Sequence, residues 1–304
     1  MRDLDARTFQ DPLVRLTETL ALKVSREAVK TLQPQFAAID IYMMLRQSVT
    51  IFKLSFSLVA GEKNRDDITR NVSYSAAAFP LIRCMIDCLY NITIILSDPL
   101  VKANQFRRSG YKQRFKALDE DEARYSGNEK WRDQIREGRR LLELDIRLHG
   151  FTKEEVMAEQ RWLTLGAYLR YNQKVPYTAH QNFLKRLTYG DWREYSGMAH
   201  GTFEGLMPTA CFFTPKDLPE PEQQNFNDVI APQVISQHLI RAAGILLCIL
   251  TEIQAYFRFE DEGARIKERL REIWDALLPA AEVKELYGER YSKLMQECGI
   301  APPS

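Results

Sequence analysis

The apolar residues of this chain recur at three- and four-residue steps in long segments, which is the period of an α-helix. Glycine and proline, the residues that most often interrupt helices, are scarce between these segments. The pattern therefore predicts an all-α protein built as a multi-helix bundle. The predicted helices span residues 3–24, 35–60, 67–97, 99–118, 128–149, 152–169, 179–187, 189–204, 227–258, 261–277 and 280–298.

Three of the predicted helices are long and apolar. Residues 36–60 and 229–257 carry apolar side chains on most sides, so we expect neighbouring helices to cover both and the two to form the central layer. The third helix, residues 67–97, contains Pro80, which predicts a kink because proline cannot donate the helical hydrogen bond. Asp98 followed by proline is a typical start of the next helix.

A proline-rich stretch divides the chain. Residues 207–227 contain four of the thirteen prolines and separate a helical block at 1–206 from C-terminal helices at 228–304. Because the stretch also contains apolar side chains, we expect a loop that packs across one domain, not a flexible linker between two. The C-terminal helices are accordingly expected to pack on the same domain.

Charge and cysteine content limit the partners and the cellular location that we expect for the protein. Lysine and arginine total 42 against 41 aspartate and glutamate, a net charge of +1, so no global field attracts a polyanion. The five cysteines are odd in number and mostly in apolar stretches, which is typical of a reducing location. The N-terminus carries acids where a signal peptide is apolar, and the most apolar run, Ala242 to Leu250, is shorter than the ~20 residues that cross a bilayer. We therefore expect a cytoplasmic protein without a membrane partner.

One segment, residues 190–201, looks organised for chemistry, with Arg193 seven positions before His200. On an unbroken helix this spacing puts both side chains on one face, about 10.5 Å apart along the axis. Side chains lean toward the N-terminus of a helix, so His200 tilts toward Ser196 while Arg193 tilts away from it. One helix alone does not bring both side chains onto a single atom. Either Gly197 breaks the helix or two copies of the chain meet.

Arg193, six intervening residues and His200, near the end of an all-helical block, resemble the arginine-x(4–6)-histidine signature of HEPN proteins, the helical domains of many bacterial toxin and defence ribonucleases. Segments 80–87 and 195–200 also resemble an uncharacterised bacterial helical family that is often compared with the HEPN fold. The resemblance implies a HEPN-like core in residues 1–206 with additional C-terminal helices. It also implies RNA as the substrate, a homodimer, and an antitoxin or defence-system protein as a partner.

The activity that this resemblance implies is metal-independent endoribonuclease cleavage, in which the 2′-hydroxyl attacks the adjacent phosphate. A histidine can accept or donate the proton and an arginine can stabilise the phosphorane, and these are the roles implied for His200 and Arg193. Glu194, Tyr195 and Ser196 are supporting residues in this interpretation. The alternative is structural, because a histidine that follows small residues in a helix is often a core residue bonded to a neighbour such as Ser196.

A second polar set lies on the predicted kinked helix, where Arg83, Asp87 and Asn91 recur every four residues and share one face. These side chains either hold His200 or contact phosphate, or they form a buried ladder. In the ladder, Arg83 and Asp87 pair with each other and fix the register of the helix. The spacing alone is compatible with both interpretations.

Local charge indicates a further candidate surface. Residues 99–118 contain no acid, and Arg107, Arg108, Lys112 and Lys116 are interleaved with aromatic residues, a pattern that suits contact with an RNA backbone. Four acidic residues follow immediately, so a solvated face whose charge is offset locally is the alternative.

Other chemistries lack their motifs. The chain has no glycine-rich phosphate loop, no nucleophile-elbow serine and no zinc-protease motif, and Cys84 and Cys88 have no second pair to complete a zinc site. We therefore predict neither a metal nor a cofactor. Besides the ribonuclease, two functions stay open: a non-catalytic helical module that binds a protein or a nucleotide, and an RNA-binding protein that does not cleave.

Overall fold

The computed structural model describes residues 6–60, 68–171, 179–202, 219–225, 229–260, 263 and 265–302. Every regular element in these residues is helical and none of them forms a strand, so the all-α prediction is confirmed. The α-helices are α1 (Gln10–Lys23), α2 (Gln35–Ala60), α3 (Ile68–Ser97), α4 (Pro99–Tyr125), α5 (Glu129–Leu148), α6 (Lys153–Ala158), α7 (Leu165–Tyr171), α8 (Ala179–Leu187), α9 (Arg193–Ala199), α10 (Glu220–Asn225), α11 (Ala231–Phe257), α12 (Ile266–Leu277), α13 (Ala281–Leu286) and α14 (Ser292–Glu297). Shorter helical turns extend them at Ala6–Phe9, Val24–Ala28, Val29–Thr31, Thr188–Trp192 and Tyr287–Tyr291.

Helix α3 lies at the centre of the bundle and packs against α2, α9 and α11. Helix α11 buries nearly all of its residues between 238 and 254 and also contacts α1, α2 and α12. The two helices predicted to form the central layer, α2 and α11, therefore contact each other and share α3 as a third member. Through these contacts, the C-terminal helices pack directly on helices from the first third of the chain.

Two apolar stretches in this layer, Ala77–Ser97 and Ala231–Phe257, are long enough to cross a membrane, with mean hydropathies of 1.6 and 1.7. Other helices cover much of both, since 67% and 72% of the respective hydrophobic windows are buried. Core helices of globular proteins have the same properties. The apolar stretch of α11 is thus longer than the run from Ala242 to Leu250. The absence of a membrane partner stays a prediction.

The local signals at the start of α4 work as predicted. Asp98 accepts a hydrogen bond from the backbone N–H of Val101 at 3.2 Å, and Pro99 occupies the first turn, so this helix start is confirmed. Helix α4 runs on to Tyr125, beyond the predicted end at residue 118. Helix α3 continues through Pro80 over its whole length, and the kink at this residue stays a prediction.

The prediction of one helix over residues 152–169 is wrong. The chain becomes extended at Glu159 and returns to helix only at the start of α7. Tertiary hydrogen bonds replace the helical ones in between: the Glu159 carboxylate accepts from Arg108, and the N–H of Trp162 donates to the Ser109 hydroxyl at 2.6 Å. Side chains of α4 thus override the helical preference of this segment.

The prediction that residues 207–227 are wholly irregular is wrong near their C-terminal end. Within this stretch the structure describes 219–225, and α10 occupies most of that part. Pro221 lies in its first turn, where a missing N–H costs no helical hydrogen bond, and Glu220 and Glu222 favour a helix N-terminus. The expected packing of the rest of the loop across the domain lies outside the described residues.

Candidate functional site at the end of helix α9

The arginine–histidine motif lies on a π-helical turn, Thr188–Trp192, followed by α9. The helix ends at His200 because Gly201 adopts a φ of +60°, which favours glycine. The N–H groups of Gly201 and Thr202 donate to carbonyls of the preceding turn at 3.3 and 3.2 Å, the pattern of a Schellman motif. The predicted helix to residue 204 is therefore wrong, because α9 ends at Ala199. The predicted break at Gly197 is also wrong, because Gly197 lies inside the helix.

His200 is exposed at this helix end. Its Nε2 lies 2.8 Å from Nη1 of Arg83, which α3 provides. A guanidinium has no acceptor, so this hydrogen bond requires an unprotonated Nε2. The interpretation of His200 as a core residue is therefore wrong: its backbone N–H bonds to the Ser196 carbonyl at 3.1 Å, but its side chain reaches Arg83 near solvent.

Arg83 connects His200 with two further side chains. Its guanidinium carbon lies 5.2 Å from the centre of the Trp192 ring, within the range of a cation–π contact. Its Nε lies 3.8 Å from Asp87 Oδ2, while Trp192 Nε1–H donates to Asp87 Oδ1 at 2.9 Å. Burial raises the pKa of Asp87, and the Trp192 hydrogen bond and the Arg83 charge partly offset this. We call these four residues, Arg83, Asp87, Trp192 and His200, the His200 cluster.

The two interpretations of the polar set on α3 are both partly realised. Arg83 lies near Asp87, as in the ladder, and also contacts His200, as in the functional interpretation. The side chains of Arg83 and Asp87 are 23% and 39% exposed, so the ladder is not fully buried. Asn91 instead accepts a hydrogen bond from Trp162 at 2.9 Å. Arg83 Nε has no hydrogen-bond partner among the described residues, so the guanidinium has donor capacity that they do not use.

The other residues of the motif point in different directions. Arg193 is exposed at the start of α9. Glu194 accepts a hydrogen bond from Arg241 Nη1 at 2.8 Å, and the buried Tyr195 hydroxyl lies 2.8 Å from His238 Nδ1. At about 100° per residue, Arg193 lies on the side of the helix opposite to Tyr195. Glu194 and Tyr195, predicted to support the catalytic pair, therefore face α11.

The first of the predicted RNA-binding cations, Arg107, is engaged inside the chain. Its Nε and Nη2 donate to both carboxylate oxygens of Asp40 at 2.9 and 2.8 Å, and its Nη1 contacts His149 Nε2. The guanidinium also lies 4.5 Å from the ring centre of Phe36. These contacts hold α4 against α2 and the end of α5.

The other three cations of the row differ in exposure. Arg108 donates to the Glu159 carboxylate and Lys112 to the Glu159 carbonyl, both at 2.7 Å. Lys116 is 78% exposed and lies 3.6 Å from Glu120. RNA binding by this row stays a prediction, with Lys116 as its most accessible member.

Three residues at the site were not predicted: Trp192, His238 and Arg241. The sequence does contain a signal for the last of these, because Arg241 and Glu252 are the only fully charged residues in the apolar α11. A lone arginine in such a helix usually has a carboxylate partner. Which carboxylate pairs with Arg241 depends on packing that the sequence does not reveal.

Comparison with protein-family models, with curated proteins and with solved structures finds no match to this chain. The resemblance to HEPN proteins therefore depends on the motif residues alone and stays a prediction. Within the described ranges, no group of three or more histidine, cysteine, aspartate or glutamate side chains is placed to hold a metal ion.

Proposed function

We propose that this protein is a metal-independent endoribonuclease whose chemistry takes place at the His200 cluster. The observation that carries the proposal is the contact between an exposed imidazole and a guanidinium, His200 Nε2 to Arg83 Nη1 at 2.8 Å. Cleavage of RNA by its own 2′-hydroxyl needs a proton acceptor beside a fixed positive charge. This contact supplies both groups at a solvent-accessible position.

In the proposed reaction, His200 removes the proton from a ribose 2′-hydroxyl, and the 2′-oxygen attacks the adjacent phosphorus. The new O2′–P bond forms as the P–O5′ bond breaks, which gives a 2′,3′-cyclic phosphate and a 5′-hydroxyl that takes its proton from water. The protonated His200 then gives its proton to the hydroxide that this leaves, which restores the neutral imidazole. Arg83 and Arg193 stabilise the charge on the phosphorane oxygens through paired donors. The substrate phosphate replaces His200 as the acceptor of Arg83, which releases Nε2 to act as the base.

Arg193 and His200 are separated by seven helical steps, a rise of about 10.5 Å. We therefore propose a homodimer in which Arg193 of one protomer and His200 of the other act on one phosphate. Following the resemblance, we further propose a role as a toxin or defence effector that a partner protein restrains.

Cleavage of a labelled single-stranded RNA in the presence of EDTA tests the activity. We expect cyclic phosphate ends from the wild type and losses of at least about 10²-fold for His200→Ala, Arg193→Ala and Arg83→Ala. Lys293→Ala is the matched control, since Lys293 is 82% exposed on the remote α14. Wild-type rates in His200→Ala would exclude this mechanism, and RNA binding without cleavage by any variant would instead favour a non-cleaving RNA-binding protein.

Mixing the inactive variants tests the shared site. If the residues act across a dimer, a mixture of Arg193→Ala and His200→Ala chains contains heterodimers with one intact site, and we expect up to about a quarter of the wild-type rate by statistical pairing. If both residues act within one protomer, the mixture stays inactive. Light scattering checks that dimers form under the same conditions.

A further inference from the structure

The motif helix α9 is held on a second side by α11, where Arg241 is the first point of contact. Arg241 donates from Nη1 to Glu194 Oε2 at 2.8 Å, and its Nε lies 3.7 Å from Asp191 Oδ1. Its side chain is 17% exposed. The two carboxylates flank Trp192 and Arg193 in the sequence, so one cation spans the residues at which the π-helical turn becomes α9.

Tyr195, the residue after Glu194, adds a buried contact between α9 and α11. The hydroxyl of Tyr195, which is fully buried, lies 2.8 Å from His238 Nδ1. The His238 ring packs against Phe79 of α3, with 3.9 Å between ring centres and a tilt of 30° between the ring planes. Helix α3 also provides Arg83, so both α3 and α11 contact α9. The His238 ring lies where α11 meets α3.

These contacts determine which side of α9 faces solvent. Glu194 and Tyr195 lie three and four positions after Asp191, so the three residues share the face toward α11. Arg193 and His200 lie roughly 180° from that face, at about 100° per residue, and both are exposed. A rotation of the helix would move both candidate catalytic side chains together.

We propose that Arg241 is a positioning residue for the candidate ribonuclease site, and this inference rests on the proposed function. Arg241 neutralises two carboxylates that are otherwise close together and largely covered. Without the guanidinium, Asp191 and Glu194 repel each other and move toward water, which turns α9 and displaces Arg193 and His200 from the RNA phosphate. The C-terminal helix α11 is thus part of the functional unit.

Three variants test this role. Arg241→Gln removes the charge, and we expect kcat for RNA cleavage to fall at least about tenfold while KM changes less than about threefold, because the catalytic groups are displaced and not removed. Arg241→Lys keeps the charge and is expected to recover part of kcat. Arg290→Lys is the control, because Arg290 forms the other arginine–carboxylate pair of α11, with Glu252 at 2.5 and 2.8 Å, away from the site.

Hydrogen exchange of the same variants gives a second readout that does not need activity. We expect Arg241→Gln to speed amide exchange in residues 191–200 at least about tenfold with little change in α12, and Arg290→Lys not to do so. Wild-type exchange and an unchanged kcat in folded Arg241→Gln would overturn the inference. If the wild type cleaves no RNA, the proposed function fails, and an exchange rate in residues 191–200 that does not respond to Arg241→Gln then overturns the positioning role separately.

Discussion

Two helices of this protein end in the same way, at a histidine followed by a glycine. His149 and His200 are the terminal cap residues of α5 and α9. Gly150 and Gly201 follow with φ values of +75° and +60°, and each end has the paired hydrogen bonds of a Schellman motif. In both cases an arginine Nη1 from another helix contacts the imidazole Nε2.

The surroundings of the two histidines differ. Around His149, Arg107 is fixed by both oxygens of Asp40, and the Tyr111 hydroxyl lies 2.8 Å from His149 Nδ1. Phe36 packs edge-on against the ring. The Asp40 and Arg107 side chains are only 15% and 14% exposed.

The corresponding arginine–histidine contact at His200 has fewer hydrogen-bond partners. Its arginine, Arg83, lies 3.8 Å from the nearest carboxylate, that of Asp87, and the described residues provide no partner for His200 Nδ1. One local motif thus occurs in two different surroundings. At His149 the pair has partners on all sides and fastens helices together, whereas at His200 partners are few and solvent is near, which is what the proposed function requires.

Replacing the two histidines gives the largest expected difference. His200→Gln should lower RNA cleavage by about 10²–10⁴-fold through loss of the proton acceptor, while His149→Gln should leave cleavage within about twofold and lower the thermal midpoint. Initial rates and melting curves of both variants provide the measurement. Equal losses of activity would remove the functional distinction between the two helix ends.

Replacing the two carboxylates compares the ion pairs. Asp40→Ala leaves a covered guanidinium without its bidentate partner and should lower the free energy of unfolding by about 3 kcal/mol. Asp87→Ala at the more exposed pair should lower it by about 1 kcal/mol. Urea unfolding at neutral pH distinguishes the two, and similar values would show that the Arg83 pair is as structural as the Arg107 pair.

A third histidine, His238, differs from both because its ring is buried. Burial lowers its pKa from 6.5 to about 3, with a smaller contribution from the Arg241 charge. The unfolded chain takes up this proton near pH 6.5 and the folded chain only near pH 3, so protonation favours unfolding as pH falls. We expect this residue to cost about 2–3 kcal/mol of stability between pH 6.5 and 4.5.

The variant His238→Gln, which cannot titrate, should show a flatter dependence of unfolding free energy on pH over the same window. Denaturant melts at several pH values make the comparison, with His200→Gln as the exposed control. Parallel pH curves for the wild type and His238→Gln would contradict the assignment of a neutral, buried ring.

The smallest expected effects come from the two glycines. Gly150→Ala and Gly201→Ala force an alanine into the left-handed region, at a cost of about 1 kcal/mol each. Because Gly201 determines where His200 lies, only Gly201→Ala should also reduce cleavage, by several fold. An equal effect of both variants on activity would mean that helix termination does not place the imidazole.

The sequence was sufficient for the helical class and for most helix bounds, because these depend on local periodicity and capping. Asp98 and Pro99 start α4 as predicted, since both signals act within one turn. The pair of His-Gly ends was also readable, because glycine after the last periodic residue is typical of a helix C-terminus. The same signal at Gly201 marks the observed end of α9.

The parts of the site that the sequence did not predict are set by contacts between distant segments. Periodicity could not choose between the ladder and the His200 contact for Arg83, because both place it on the same face of α3. Nor could it show that Glu194 pairs with Arg241, or that Glu159 leaves the helical path to meet Arg108. Each of these outcomes depends on which helices pack side by side.

The residues of the His200 cluster and the residues of α11 that hold α9 are far apart in sequence, which determines when the site can form during synthesis. Arg83 and His200 are 117 positions apart, and Arg241 and His238 follow later still. A nascent polypeptide emerges from the ribosome N-terminus first, so a chain that has emerged through residue 206 exposes the arginine–histidine motif before α11 exists to hold it. In the proposed ribonuclease, α11 would complete the site only when translation is nearly finished, and cleavage of RNA by the nascent chain would be delayed until then.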